Sequence, residues 1–123
     1  VNAPWEHRDS MFLEAYFHQG SLDFSAETVA EITALAAQVP VVLDVMLDRP
    51  AILTPLVDVA TAIVGTYGTS DPALVAALTG EVAPEGRLPF QLPRSMEAVA
   101  ASRPDVASDT ADAVFEAGHG LRI

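Results

Sequence analysis

Residues 41–65 read VVLDVMLDRPAILTPLVDVATAIVG, and the order of signals in this stretch decides the fold. Val41-Val42-Leu43-Asp44-Val45-Met46-Leu47 is a short apolar run rich in β-branched side chains, the pattern of a buried strand. Arg49-Pro50 breaks it, because proline has no N–H to give to a strand ladder. Residues 51–59 have room for a short crossover helix, and Thr61-Ala62-Ile63-Val64-Gly65 supplies the next strand. A strand, a crossover and a strand of this length predict a parallel pair with a right-handed connection.

Working upstream, Ser25 stands where an N-cap belongs, with Glu27 in the first turn to complement the helix dipole. Val29, Ile32, Leu35, Ala36 and Val39 then recur at helical spacing, which predicts a helix over 26–39 ended by Pro40. Residues 1–20 carry aromatics and charges without a clean period and read as a loop or short helix over a surface. Downstream, Asp71 followed by Pro72 reads as a cap and a first-turn proline. The helix this begins, over 72–79, has Leu74, Val75 and Leu78 as its apolar face and Gly80 as its stop. Pro84-Glu85-Gly86 is a turn, and 88–93 is an extended ribbon whose two prolines place it at an edge or outside the sheet. Residues 95–101 allow one or two helical turns, and the acidic 103–113 reads as a solvated loop. The alternation points to α/β architecture with a partly parallel sheet. Two strands are too few to bury both faces of such a sheet, so the domain is expected to be incomplete in these residues.

With 123 residues, half of them hydrophobic, the chain has the size and apolar content of one packed domain or a large piece of one. Its 17 acidic residues against 6 basic ones give a formal net charge of −11, which repels phosphate backbones and anionic membrane surfaces. Nucleic acid and membrane are therefore not expected partners. There is no cysteine, hence no disulfide and no thiolate metal site. The apolar stretches 39–47 and 51–65 are interrupted by Pro40, Asp44, Pro55 and Asp58 and fall short of a membrane span. The opening Val1-Asn2-Ala3-Pro4 has neither an initiator Met nor a signal-like block, so the sequence reads as a piece of a longer polypeptide. A soluble, cytoplasmic protein is the expectation.

Three ordered blocks carry a resemblance. Residues 41–54, VVLDVMLDRPAILT, pair an apolar strand with an Asp-Arg-Pro turn and a small apolar run. Residues 68–93, GTSDPALVAALTGEVAPEGRLPFQLP, place a helix before Pro-x-Gly-Arg-Leu-Pro. Residues 115–123 close with FEAGHGLRI. In this order they resemble the C-terminal α/β sandwich domain of the family 3 glycoside hydrolases, the β-glucosidase family. The resemblance implies a three-layer sandwich, a mostly parallel sheet flanked by helices, of which residues 1–123 are the C-terminal part. Within it, 1–25 would be an active-site loop region and 26–123 the α/β scaffold and tail. It also implies a retaining β-glycosidase acting on β-glucosides or β-xylosides without a cofactor, with a carbohydrate substrate and an N-terminal barrel domain as partners.

Retaining hydrolysis needs two carboxyl groups, a nucleophile and a general acid/base. The family's nucleophilic Asp lies in its barrel, so the resemblance places that residue outside this chain. Its acid/base Glu lies on a loop after an early strand, whose end Val1-Asn2 would be. Glu6, in Ala3-Pro4-Trp5-Glu6, sits where plant-type members have a Pro-aromatic-x-Glu segment, and Trp5 beside it is a candidate sugar-stacking residue. Glu14 is the alternative, because it precedes Ser21-Leu22 at about the spacing seen in bacterial members, although Gly and Asp-Arg do not follow it. His18, Ser21 and Asp23 lack a nucleophile elbow, and His7, His18 and His119 lack metal-ligand spacing. Gly118-His119-Gly120 is no phosphate loop, and Asp105, Asp109 and Asp112 do not fit a calcium loop. A different class of reading is a carbohydrate-associated or interaction module with no catalysis of its own. In either case an open sheet edge invites association with another chain.

Overall fold

The computed structural model describes residues 1–6 and 20–120. The decisive stretch folds as its pattern predicts: β1 (Val42–Met46) and β2 (Ala62–Thr66) pair in parallel, Val42 opposite Ala62 and Met46 opposite Thr66. Between them lies α2 (Thr54–Val57), with Pro55 in its first turn and Leu56 wholly buried. The first residues of the chain extend this sheet. Asn2 bridges Met46 in parallel, Ala3 N–H donates to the Met46 carbonyl at 2.9 Å, and Met46 N–H donates to the Val1 carbonyl at 2.8 Å. The parallel order is therefore residues 1–3, then β1, then β2.

Helix α1 (Ala26–Ala36) starts on Ser25, whose hydroxyl accepts from Thr28 N–H at 3.1 Å. It stops short of the expected Val39, with Gln38 and Val39 N–H both turning back to the Leu35 carbonyl before Pro40. In α3 (Asp71–Leu78) the cap is Ser70, not the expected Asp71, which is instead the first helical residue. Ser70 makes no side-chain cap bond, and the Asp71 carboxylate acts on the helix dipole from inside the first turn. Gly80, at φ +78°, ends α3.

The second sheet is a short antiparallel ribbon of β3 (Leu92–Pro93) and β4 (Ala113–Phe115), with α4 (Met96–Ala101) between its strands. The prolines of 88–93 keep this ribbon outside the parallel sheet, as expected. The acidic 103–113 loop is more ordered than its composition predicts. Arg103 clamps Asp109, with Nη2 to Oδ1 at 2.6 Å, and this guanidinium holds the Asp109 carboxyl below its usual range. Ala113, expected in that loop, is a strand residue.

Leu43, Val45, Leu47, Ala51, Leu53, Leu56, Leu92 and Ala3 form the core, on one face of the parallel sheet. The other face of β1 is open: Val42 is 50% and Met46 39% exposed, with Asp44 between them accepting from the Thr66 hydroxyl at 2.8 Å. Neither α1 nor α3 buries a residue completely. Val29 and Ile32 lean on the core, but Leu35, Val75 and Leu78 of the expected apolar faces stand out from it. The architecture is thus mixed α/β with a small parallel sheet, an incomplete sandwich with no closed barrel.

Candidate functional site

The parallel strands all run in one direction, so their carboxyl ends gather at one edge of the sheet, where open α/β sheets bind ligands. Residues 1–3 deliver Ala3-Pro4-Trp5-Glu6 to this edge, β1 delivers Asp48 and Arg49, and β2 delivers Tyr67. Ala3 is buried and anchors the first of these segments, while Glu6 is exposed.

A turn at Gly20-Ser21 backs onto Glu6. Gly20 has φ +85°, and a Cβ there would collide with the Cβ, Cγ and Cδ of Glu6, so the Glu6 side chain lies flat across the bare glycine. Ser21 N–H donates to Glu6 Oε1 at 3.4 Å, a long bond. The turn is itself held from beyond: Ile52 N–H donates to the Leu22 carbonyl at 2.9 Å, and Leu22 is buried. Arg49 Nη2 donates to the Gly20 carbonyl at 3.0 Å. The Asp-Arg-Pro turn, read from sequence only as the end of a strand, thereby reaches the candidate carboxylate's support.

Trp5 is half-exposed beside Glu6, and Glu14 and His18 lie outside the described residues. Ser21 and Asp23 form a local turn rather than a catalytic pair. The Ser21 hydroxyl donates to Asp23 Oδ2 at 2.9 Å and accepts from Asp23 N–H at 3.0 Å. Among the described residues, no group of His, Asp and Glu is arranged to hold a metal ion. His119 rests on Phe115, ring centroids 4.8 Å apart, in the ribbon.

The second and third sequence blocks meet one another. Leu88 N–H donates to the His119 carbonyl and Gly118 N–H to the Leu88 carbonyl, both at 2.8 Å, while Arg87 Nη1 donates to the Gly118 carbonyl at 3.1 Å. Gly120 packs so closely on the Gly86 carbonyl that a Cβ would stand 2.5 Å from its oxygen. Between this ribbon and β2 is an open, mostly apolar hollow of ≈ 540 Å3. Leu47, Ile63, Tyr67 and Leu88 line it, and Glu6 does not.

A small parallel sheet joined to a proline-flanked ribbon that clasps a glycine-rich tail defines the class: a piece of an α/β domain. The description "Glycosyl hydrolase family 3 C-terminal domain" matches residues 14–123, and the chain belongs to that family. The match begins at Glu14, so Glu6 stands upstream of it. Over 120 residues the chain is 44% identical to beta-glucosidase C of Emericella nidulans. Over 124 residues it is 37% identical to a periplasmic beta-glucosidase/beta-xylosidase of Dickeya chrysanthemi. Each alignment covers 98% of this chain but 19% of the relative, so the chain spans about a fifth of the length of the curated relatives it matches. No solved structure matches. No helix among the described residues is long and apolar enough to cross a membrane. The cytoplasmic expectation finds no support in these relatives, one of which is named periplasmic.

Proposed function

We propose that this chain is the C-terminal part of a retaining β-glycosidase acting on β-glucosides or β-xylosides, and that Glu6 is its general acid/base. The observation that carries the reading is the seat of Glu6, an exposed carboxylate just beyond a segment that bridges β1 in parallel, with a fixed turn behind it. Residues 1–6 and the 20–25 turn form the described part of the active-site loop region, and 26–120 is scaffold. The nucleophilic carboxylate comes from a barrel domain outside these residues. It attacks the anomeric carbon while Glu6 gives its proton to the departing glycosidic oxygen. In the second step Glu6, now a carboxylate, takes a proton from water as that water displaces the enzyme carboxylate from the sugar. Trp5, next to Glu6 and half-exposed, offers a ring face for the sugar. Glu14 is the alternative carrier of the same role.

In the complete enzyme, Glu6→Gln is expected to slow glycosides with poor leaving groups by about 100-fold or more, within the usual range for general acid/base catalysis. Activated aryl glycosides depart without protonation, so their first step is expected to change little. Added azide attacks the glycosyl-enzyme without a general base and is expected to restore turnover of those activated substrates as a glycosyl azide. Normal kinetics for Glu6→Gln, together with this pattern in Glu14→Gln, would reassign the role to Glu14.

A further inference from the structure

Arg49 is the side chain that ties the end of β1 to the turn behind Glu6. Its Nη2 is on the Gly20 carbonyl at 3.0 Å, whereas its Nη1 is buried with no hydrogen-bond partner among the described residues. A guanidinium held this far from bulk solvent keeps one orientation where the surrounding backbone is fixed. That holds here: Pro50 fixes the backbone just beyond it, and the next residues, Ala51, Ile52 and Leu53, are all buried. Gly20, in turn, is a residue whose missing Cβ makes room for the Glu6 side chain and whose left-handed φ points Ser21 N–H toward Glu6 Oε1.

On one side of the turn, Leu22 is locked through Ile52, and its own N–H donates to Met96 Sδ at 3.4 Å. On the Gly20 side the fastening shown is the Arg49 guanidinium. Removing it leaves the Gly20 carbonyl without that donor and frees the Gly20-Ser21 peptide to rotate. That rotation moves both the glycine wall and the Ser21 N–H away from the carboxyl group. We infer that Arg49 is a positioning residue for the Glu6 carboxyl group, acting through the Gly20-Ser21 turn; this rests on the acid/base reading of Glu6. Lysine does not replace it, because a compact ammonium on a flexible stem lacks the fixed N–H direction that the planar guanidinium aims at the Gly20 carbonyl.

The test uses the complete enzyme with Arg49→Met, Arg49→Lys, Glu6→Gln and the Arg49→Met/Glu6→Gln double variant. Each is assayed for kcat/KM across aryl glycosides of rising leaving-group pKa. Misplacing an acid by a fraction of an ångström costs up to about 100-fold, so Arg49→Met is expected to lose roughly 10- to 100-fold with poor leaving groups. With dinitrophenyl glycosides it is expected to lose less than about threefold, since those need no acid. Guanidinium ion is expected to restore part of the loss. In the double variant, Arg49→Met is expected to add no further leaving-group dependence to that of Glu6→Gln. An equal loss on every substrate, or an additive loss in the double variant, would overturn the inference and leave Arg49 as scaffold. If Arg49→Met is not recovered folded, Arg49→Lys, which keeps the charge, carries the same comparison. Should Glu6→Gln itself show no leaving-group dependence, the acid/base assignment fails and Arg49 falls with it. If Glu6→Gln shows the dependence and neither Arg49 variant does, the positioning role alone is refuted.

Discussion

Two glycines separate what a side chain can yield from what a backbone cannot. A Cβ at Gly120 would stand 2.5 Å from the Gly86 carbonyl oxygen, and neither backbone can move without breaking the tail's pairing with the Pro-x-Gly-Arg-Leu-Pro turn. A Cβ at Gly65 would meet Leu47 Cδ1 at 2.8 Å, the far end of a flexible side chain beside an open hollow. Gly120→Ala is therefore expected to destabilise by about 1–3 kcal/mol and Gly65→Ala by less, in the manner of overpacked sites. Thermal unfolding of the complete enzyme, followed by a tail or ribbon probe, reads the order. A larger drop for Gly65→Ala would contradict the account of the tail as clasped by the Gly86 turn. From sequence the Gly-x-Gly tail allows a sharp bend or a close approach to another surface, and the surface it meets is 34 positions away in the chain, at Gly86. Arg49 illustrates the same limit. As an Arg-Pro pair it reads as a strand breaker, and its hold on Gly20 appears only when the two lie side by side.

Helix starts show a parallel contrast at the next scale. Ser25 and Ser70 are both extended N-caps, yet Ser25 binds Thr28 N–H and the Thr28 hydroxyl, whereas Ser70 makes no side-chain cap bond. Ser25→Ala is expected to cost about 1 kcal/mol and Ser70→Ala only a few tenths. Urea unfolding of the complete enzyme measures the difference, and equal costs would show that the two caps act alike. Both helices were legible from their apolar spacing, and β1 and β2 from their β-branched runs. Strand β4 was not. Ala113-Val114-Phe115 is three residues with no period, placed after an acidic loop, and it is a strand because Leu92 lies opposite Phe115. The Gln91 side chain reinforces that pairing from outside the strands, donating to Glu116 Oε2 at 2.6 Å and accepting from Thr110 N–H at 3.0 Å. Cap residues act within one turn of chain, so sequence places a helix start to within a residue, Ser25 correctly and Ser70 one position late, whereas a three-residue strand exists only through its partner.

For the molecule as a whole, the open face of β1 and the unburied helices set the expected behaviour. Val42, Met46, Leu35, Val75 and Leu78 leave more apolar surface outside than a parallel α/β sheet tolerates in water. The isolated 123 residues are expected to associate or aggregate, and not to unfold cooperatively as a monomer. Light scattering with a thermal melt checks this, and a clean monomer with one cooperative transition would refute it. The same isolated chain is expected not to hydrolyse aryl β-glucosides, because the covalent route needs the second carboxylate. The sequence by itself determined the parallel strand–crossover–strand unit, the helix limits to within a few residues, the glycine and proline punctuation, and the family. Each of these is encoded in neighbours along the chain, through spacing, caps and turn chemistry. Only the tertiary structure decided which face of the sheet is buried, that Asn2 bridges β1 in parallel, and that Arg49, Gly20 and Glu6 meet beyond that bridge. Those are choices among groups tens of positions apart, and they are made by burial and hydrogen bonding summed over the whole chain.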